Sequence, residues 1–278
     1  RIASVNNTRK ITSAMKMVAS AKLHKAQAAI ESMLPYERRL HHILTDFMSN
    51  CTEVTSPFIV KREVKKVAVV VFASNTSLCG GFNANVIRHL VDLLAEYKPL
   101  GLENILVFPV GKKVADAVRK LGFRIEGDFQ HMADKPSYQE AADLAADLMK
   151  RFLHGDVDKV ELLYNHFKST ASQILTRETY LPIDLNNEKK EEERTIDYIL
   201  EPSAEELMQE MLPKVLRMKM FTVLLDSNAA EHAARTMAMQ IATDNANELL
   251  QELTVMYNKS RQQSITNELL DIVGGSMA

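Results

Sequence analysis

The last third of the chain carries apolar residues at helical spacing. From Ser203 to Val273 they recur every three or four residues and no glycine interrupts them, which predicts one helix of about 100 Å. A compact chain of this size would be only about 50 Å across. We therefore expect the helix to extend out of its own globular part. Ser203 and Glu206 form a predicted N-terminal capping box, Pro213 a predicted kink, and Gly274-Gly275 a predicted stop.

An alanine-rich stripe along this helix favours a second helix beside it. Its positions step by three and four with one shift of phase, which is typical of a weakly supercoiled seam. The predicted seam consists of Ala230, Ala234, Met237, Ile241, Ala242, Ala246, Leu249, Leu253 and Met256.

Residues 1 to about 50 predict that second helix, with a bend at Pro35. One face carries Ile11, Met15 and Val18, and an alanine-rich stripe continues through Ala14, Ala21, Ala26, Ala29, Ile30 and Met33. The first thirty residues contain six lysines or arginines and no acid. This pattern favours a mature helix that faces acidic neighbours, with a mitochondrial targeting peptide as the alternative.

The middle of the chain alternates strands and helices. Strands are predicted at 66–73 and 104–110, and helices at 83–97, 112–121 and 138–153. This order predicts a parallel sheet covered on both faces. Two more strands, 159–167 and 173–181, have a short polar link and predict an antiparallel hairpin at one sheet edge. The run Asn186 to Arg194 (NNEKKEEER) is predicted to be a solvated loop.

The predicted fold class is therefore α/β, with a long antiparallel coiled coil. The predicted parts are an N-terminal helix (1–59), a central α/β domain (60–202) and a C-terminal helix (203–278).

A net charge of −2 gives no general electrostatic reason to bind nucleic acid. Cys51 and Cys79 are too few for a disulfide scaffold or a cysteine zinc cluster. No apolar run reaches the length of about 20 residues that spans a membrane, so membrane association is expected only through a partner.

The segment from Ser74 to Asn83 (SNTSLCGGFN) follows the first strand, where phosphate-binding loops lie. It lacks both glycine-rich nucleotide-binding spacings, so neither a cofactor nor a metal is expected. We interpret Gly80-Gly81 as a tight chain reversal. Cys79 has no evident base beside it, and we interpret it as a packed thiol rather than a nucleophile.

Other titratable residues give no catalytic or metal-binding pattern. His41 and His42 are adjacent and would point to different sides of a helix, which makes them poor joint ligands. Glu231 and Arg235 are four residues apart and predict a surface ion pair.

The end of the C-terminal helix differs from the rest of the seam. After Met256 the segment YNKSRQQSITNELL is polar on most faces while the helical pattern continues. Such a helix is marginal alone in water, which favours contact with another protein over a frayed end.

Three separated segments resemble the gamma subunit of the F-type ATP synthase: Ile2 to Gln27 (IASVNNTRKITSAMKMVASAKLHKAQ), Ser74 to Asn83, and the C-terminal motifs AARTMAMQIATDNANELL and YNKSRQQSITNELLDIVGG. The resemblance implies two terminal helices that rotate as a coiled coil inside a hexamer of alpha and beta subunits. It also implies a Rossmann-like central domain outside the hexamer, and a foot that contacts the epsilon subunit and the c ring. In that family the subunit itself catalyses nothing.

The matching motifs imply functional positions. Contacts with the alpha/beta hexamer are expected from Met15, Lys16, Arg235, Arg261, Gln262, Thr266 and Glu268, and a contact at the foot from Tyr198 in DYILEP. The expected location is the cytoplasmic face of a bacterial inner membrane, as a peripheral protein, with the mitochondrial matrix face as the alternative. A static coiled-coil adaptor and an α/β enzyme for a small molecule are the rival functions.

The sequence also departs from the family pattern. Asn75 and Ser77 stand where the family has aspartate and glycine, Ser13 where lysine is common, and Ser276 where alanine is usual. The chain opens at Arg1, from which we expect a few residues to be missing. It carries no cysteine-bearing insertion of the chloroplast kind, which favours a bacterial enzyme.

Overall fold

The structure is a computed structural model that describes residues 1–50, 56–183 and 204–276. The predicted solvated loop at 186–194 lies outside these residues. So does the predicted boundary at residue 203. Within them the chain forms a five-stranded sheet with covering helices, and two very long helices at its ends.

The elements follow the predicted order. The strands are β1 (Val67–Phe72), β2 (Ile105–Val110), β3 (Arg124–Ile125), β4 (Lys159–Ser169) and β5 (Ser172–Leu181). The helices are α1 (Ile2–Asn50), α2 (Phe82–Tyr97), α3 (Lys112–Lys120), α4 (Gln130–Asp134), α5 (Tyr138–His154) and α6 (Ala204–Ser276). Two short 3-10 turns, Lys98–Leu100 and Leu102–Asn104, connect α2 to β2.

The sheet has the order β3-β2-β1-β4-β5. Its first four strands are parallel, and β5 pairs antiparallel with β4 at the edge, which confirms the predicted hairpin. Pro109 lies in β2 opposite Val71, but β3 pairs only with Leu106 and Val107. The missing N–H of Pro109 therefore removes no hydrogen bond to β3.

Alternate residues of the strands fill two separate cores. Val67, Val69 and Val71 of β1 face α2 and α3. Ala68, Val70 and Phe72 face the other way, into a larger core with α5 and the first part of α6. This double burial explains why β1 is a continuous apolar run.

Helix α6 belongs both to the larger core and to the coiled coil. Its first buried side chains, from Met208 to Leu225, pack over the sheet. With 73 residues it is about 110 Å long. The helix continues through Pro213 and also through Gly274-Gly275, so the predicted stop was wrong. Each glycine costs a helix only about 1 kcal/mol, and no residue near the end opposes its continuation.

Helices α1 and α6 pair antiparallel. The Thr243 hydroxyl donates to the Thr12 hydroxyl at 2.9 Å, and Arg9 donates to the Asn247 side chain at 3.4 Å. Further along, Leu23 packs among alanines of both helices, including Ala229. The coiled coil and its direction are as predicted.

The predicted seam, however, lies on the wrong face for much of its length. Ala230 and Ala234 are buried, but against the loop after β1 rather than against α1. Met237 and Ile241 are 40% and 53% exposed, and Met15 lies on the exposed face of α1. The buried or half-buried residues of α1 instead include a regular series: Ile2, Val5, Arg9, Thr12, Lys16, Ala19, Leu23, Ala26, Ile30 and Met33. Its steps of three and four match a heptad seam with polar residues inside it, which hydrophobicity alone did not indicate.

Candidate functional site

The loop after β1 occupies the edge of the sheet where a ligand would be expected. In open parallel sheets, ligands bind beyond the carboxyl ends of the strands, where the strand order reverses. Here Ser74 donates from its hydroxyl to the Thr76 carbonyl at 2.6 Å, and Asn83 donates to the Ser74 hydroxyl at 2.8 Å. Cys79 is buried and packs against Ala230 of α6. The loop therefore acts as a packing element between the sheet and α6.

Asn75 has a defined structural role in this loop. Its side-chain amide donates to the Gln130 carbonyl at 2.8 Å, and its side-chain oxygen accepts from the Lys112 N–H at 2.8 Å. An ionised aspartate at this position would accept the second hydrogen bond but could not donate the first. Asn75 therefore links the loop to both α3 and α4.

The predicted chain reversal at Gly80-Gly81 is present. Gly80 has a φ of 60°, which glycine adopts at no steric cost, and Leu78 just before it has a φ of 68°. These two left-handed residues turn the chain sharply between β1 and α2.

A cavity of about 440 Å³ lies at the opposite, amino ends of the strands. Its lining mixes cations and acids, among them Lys66, Lys150, Glu103 and Asp156. No group of three metal-ligating side chains comes together among the residues described. The side chains of His41 and His42 are not among those described. None of the described helices is long and apolar enough to cross a membrane.

Arg235 joins α6 to the loop after β1. Its guanidinium donates to the Ser77 carbonyl, to the Thr76 hydroxyl at 2.9 Å, and to Glu231 at 2.6 Å. The side chains of Arg235 and Glu231 are only 13% and 10% exposed. The predicted surface pair is therefore a buried one. Burial raises the pKa of Glu231, and the hydrogen bond from Arg235 opposes that rise.

His232 lies on α6, close enough to Lys22 of α1 for the charge of that lysine to affect it. It is buried, and its Nδ1 has no hydrogen-bond partner among the residues described. Burial, together with the positive charges of Lys22 and Arg235, lowers the pKa of His232 to about 4, while Asp134 opposes this. The ring is therefore neutral near pH 7.

An exposed apolar face follows the coiled coil. It contains Ile11, Met15 and Val18 on α1, and Met237 and Ile241 on α6. Lys16 differs from Met15 beside it, because it lies half-buried in the seam. Exposed apolar residues that share a helix face favour a protein-binding site.

The end of α6 lies free of every other described part of the chain. Arg261, Gln262, Thr266 and Glu268 are all exposed. The Thr266 hydroxyl donates to the Gln262 carbonyl of its own helix at 2.9 Å. Four of the residues predicted to contact the alpha/beta hexamer therefore lie on this one exposed part of α6. Arg235 lies elsewhere on the helix, against the loop after β1. Tyr198 lies outside the described residues.

Two polar residues of α6 were missed from the sequence. Asp226 accepts from the Phe167 N–H at 2.8 Å and lies 2.6 Å from Nδ1 of His166. Asn228 donates to the Ala133 carbonyl at 2.9 Å. Their position in the sequence could have indicated this role. They follow the mostly apolar run MFTVLL on a packed helix, where buried polar side chains require hydrogen-bond partners.

The fold is similar to that of solved rotors of ATP synthases. The rotor of the Euglena gracilis mitochondrial ATP synthase matches with a TM-score of 0.59 at 19% identity, covering 95% of this chain and 96% of that one. The central stalk and c ring of the Tetrahymena thermophila enzyme contain a chain that matches with a TM-score of 0.57 at 21% identity, covering 84% and 99%. At these identities the likeness concerns the fold.

Sequence comparison gives a closer relationship. The ATP synthase family model matches residues 1–278. The ATP synthase gamma chain of Phocaeicola vulgatus is 81% identical over 280 residues, covering 100% of this chain and 97% of that one. The gamma chain of Bacteroides thetaiotaomicron is 62% identical over 288 residues with the same coverage. The chain therefore belongs to the ATP synthase gamma chain family.

Proposed function

We propose that this chain is the central rotor shaft of an F-type ATP synthase. It couples ion-driven rotation of the c ring to ATP synthesis or hydrolysis at the alpha and beta subunits, and it catalyses nothing itself. The observation that carries the proposal is the end of α6, where every side chain from Thr254 to Val273 is exposed along a continuous helix.

The composition of this end of α6 indicates that other proteins surround it. Its exposed side chains include Val255, Met256, Tyr257, Ile265, Leu269, Leu270, Ile272 and Val273. An isolated helix of this length is marginal in water, and most helical stability in proteins comes from packing of an apolar face. A surrounding hexamer would supply that packing while leaving the helix free to turn.

The proposed contacts with the alpha/beta hexamer divide into two groups. Met15, Arg261, Gln262, Thr266 and Glu268 are exposed and available for direct contact. For the other two, Arg235 and Lys16, we propose an additional role within the chain. Arg235 fixes the loop after β1, and Lys16 lies in the seam.

The proposed foot lies at the α/β part. Residues 60–202 would contact the epsilon subunit and the c ring, with Tyr198 among the contact residues. Segments 1–59 and 203–278 would form the shaft. The proposed location is the cytoplasmic face of a bacterial inner membrane, reached through these partners. The bacterial relatives at up to 81% identity support this placement.

A reversible lock distinguishes a rotor from a static adaptor. Gln263 is replaced by cysteine in a chain whose Cys51 and Cys79 are serine, and the complex is assembled with alpha and beta subunits of Phocaeicola vulgatus. A cleavable crosslink to the beta subunit should stop steady-state ATP hydrolysis, and cleavage should restore it. The same reagent on the complex without the new cysteine is the control. Undiminished hydrolysis in the crosslinked complex would favour the adaptor.

A further inference from the structure

We call five described residues of α6 with directional contacts to the α/β part the α6 junction: Leu216, Lys219, Asp226, Asn228 and Arg235. The Leu216 carbonyl accepts from the Tyr180 hydroxyl at 2.8 Å. Lys219 pairs with Glu178 at 2.9 Å. Asp226 bonds to the β4–β5 hairpin, Asn228 to the end of α4, and Arg235 to the loop after β1. These contacts extend over 19 residue steps, about 30 Å of helix.

The α6 junction contacts two nearly opposite sides of the helix. At about 100° per residue, positions seven apart differ by only about 20°, so Lys219 and Asp226 share one side. Asn228 and Arg235, also seven apart, share another. Asn228 lies about 200° from Asp226, so the second side faces away from the first.

The partners on the two sides belong to different elements. Glu178 and His166 lie in the β4–β5 hairpin, whereas Ala133 and Thr76 lie in α4 and the loop after β1. A helix bonded on one side only can roll about its axis. Bonds on opposite sides oppose such a rotation in both directions.

Helix α1 is attached differently. It packs along α6, and its contacts with the α/β part are sparse among the residues described. Its half-buried Ala29, Ile30 and Met33 pack against the larger core, which α6 and the sheet form together. Its interhelical hydrogen bonds, at Arg9 and Thr12, go to α6. Apolar contacts are non-directional, whereas hydrogen bonds fix the orientation of the groups that they join.

We infer that torque passes between the α/β part and the coiled coil through the α6 junction, and that α1 serves as a brace along α6. This inference rests on the proposed rotor function. Asp226 and Asn228 are then positioning residues, since they hold α6 at a fixed angle through hydrogen bonds within the chain.

Torsional stiffness in the assembled complex tests this directly. A bead is attached to the α/β part of the chain in a complex with Phocaeicola vulgatus alpha and beta subunits, and a non-hydrolysable ATP analogue stalls the catalytic sites. Asp226→Ala with Asn228→Ala removes the contacts made by two of the five junction residues. Because parallel stiffnesses add, the mean-square angular fluctuation should rise by about 1.5- to 2-fold as these hydrogen bonds are lost. Asp226→Asn keeps an acceptor for the Phe167 N–H and should give a smaller rise.

The matched control changes two α1 residues that pack against the larger core, to which the sheet and α6 both contribute. Ile30→Ala with Met33→Ala should leave the angular fluctuation unchanged. An equal or larger rise in this control, or no rise in the junction variant, would overturn the inference. Asn228→Ala alone provides the comparison if the double variant does not fold. Failure of the proposed rotor function would be seen separately, in the wild-type complex. That complex would show no rotation when ATP replaces the analogue.

Discussion

At the scale of single residues, the buried imidazole of His232 links stability to pH. Its pKa is lowered to about 4 in the folded chain, against about 6.5 when unfolded. Below pH 6.5 the unfolded state therefore takes up a proton that the folded state does not. Stability from this residue is complete above pH 6.5 and is lost as the pH falls toward 4, by about 3 kcal/mol in total.

The corresponding variant is His232→Gln, which cannot titrate. The difference in unfolding free energy between wild type and variant, measured by denaturant titration from pH 7.5 to 4.5, should shrink as the pH falls. Other titrating groups cancel in this difference. A difference that stays constant with pH would show that the imidazole is accessible to protons in the folded chain.

Arg261 and Gln262 on the free helix test the contact surface. Replacing both by alanine removes hydrogen-bond donors that make no contact with the rest of the described chain. The free energy of unfolding should therefore change by no more than about 0.5 kcal/mol. In the assembled complex, loss of charge-assisted hydrogen bonds worth about 1.5–3 kcal/mol each should slow ATP turnover by tenfold or more.

The control for that pair is Lys259→Ala, which removes a charge from the same exposed helix. It should retain most of the turnover. Normal turnover of the double variant in a complete complex would mean that these side chains do not communicate with the catalytic sites, and failed assembly would point to the adaptor.

At the scale of elements, the register of the coiled coil can be tested by crosslinking. Thr12 and Thr243 have hydroxyls 2.9 Å apart, so a cysteine pair at these positions should form a disulfide within one chain. Ile11, one residue away, is exposed on the outer face. A pair at 11 and 243 should not crosslink, although it is almost identical in sequence separation. Comparable yields from the two pairs would contradict the register.

The elements themselves were largely predictable, because their signals are local. Both long helices, three parallel strands and the β4–β5 hairpin follow from periodicity and turn residues. Two-residue β3 and five-residue α4 were missed, since such short elements carry no period. The glycine pair near the end of α6 was wrongly predicted to end the helix, which continues to Ser276.

The seam shows why the remainder could not be predicted from hydrophobicity. A helix that also binds other proteins has more than one apolar face, and the pattern does not say which face meets its own partner helix. Here Thr12, Lys16 and Thr243 occupy seam positions while Ile11 and Val18 are exposed. Similarly, the exposure of Arg261 and Gln262 followed from the sequence motif, but the attachment of Arg235 to Thr76 depends on the tertiary fold.

At the scale of the whole molecule, the sheet should not act as a nucleotide site. The loop from Ser74 to Asn83 bonds to itself and packs on α6 where a phosphate would have to bind. We expect the isolated chain neither to hydrolyse ATP nor to bind it tightly. Calorimetry with ATP and magnesium checks this, and a dissociation constant near 1 μM, about −8 kcal/mol, would contradict it.

The central claim is that this chain turns inside its partners, and observing that rotation tests it most directly. The hexamer of alpha and beta subunits is fixed to a surface, and a bead is attached to the α/β part of the chain. During ATP hydrolysis the bead should rotate continuously in one direction, and rotation should stop when ATP is removed. A fully assembled complex that hydrolyses ATP while the bead keeps a fixed angle would contradict the rotor account.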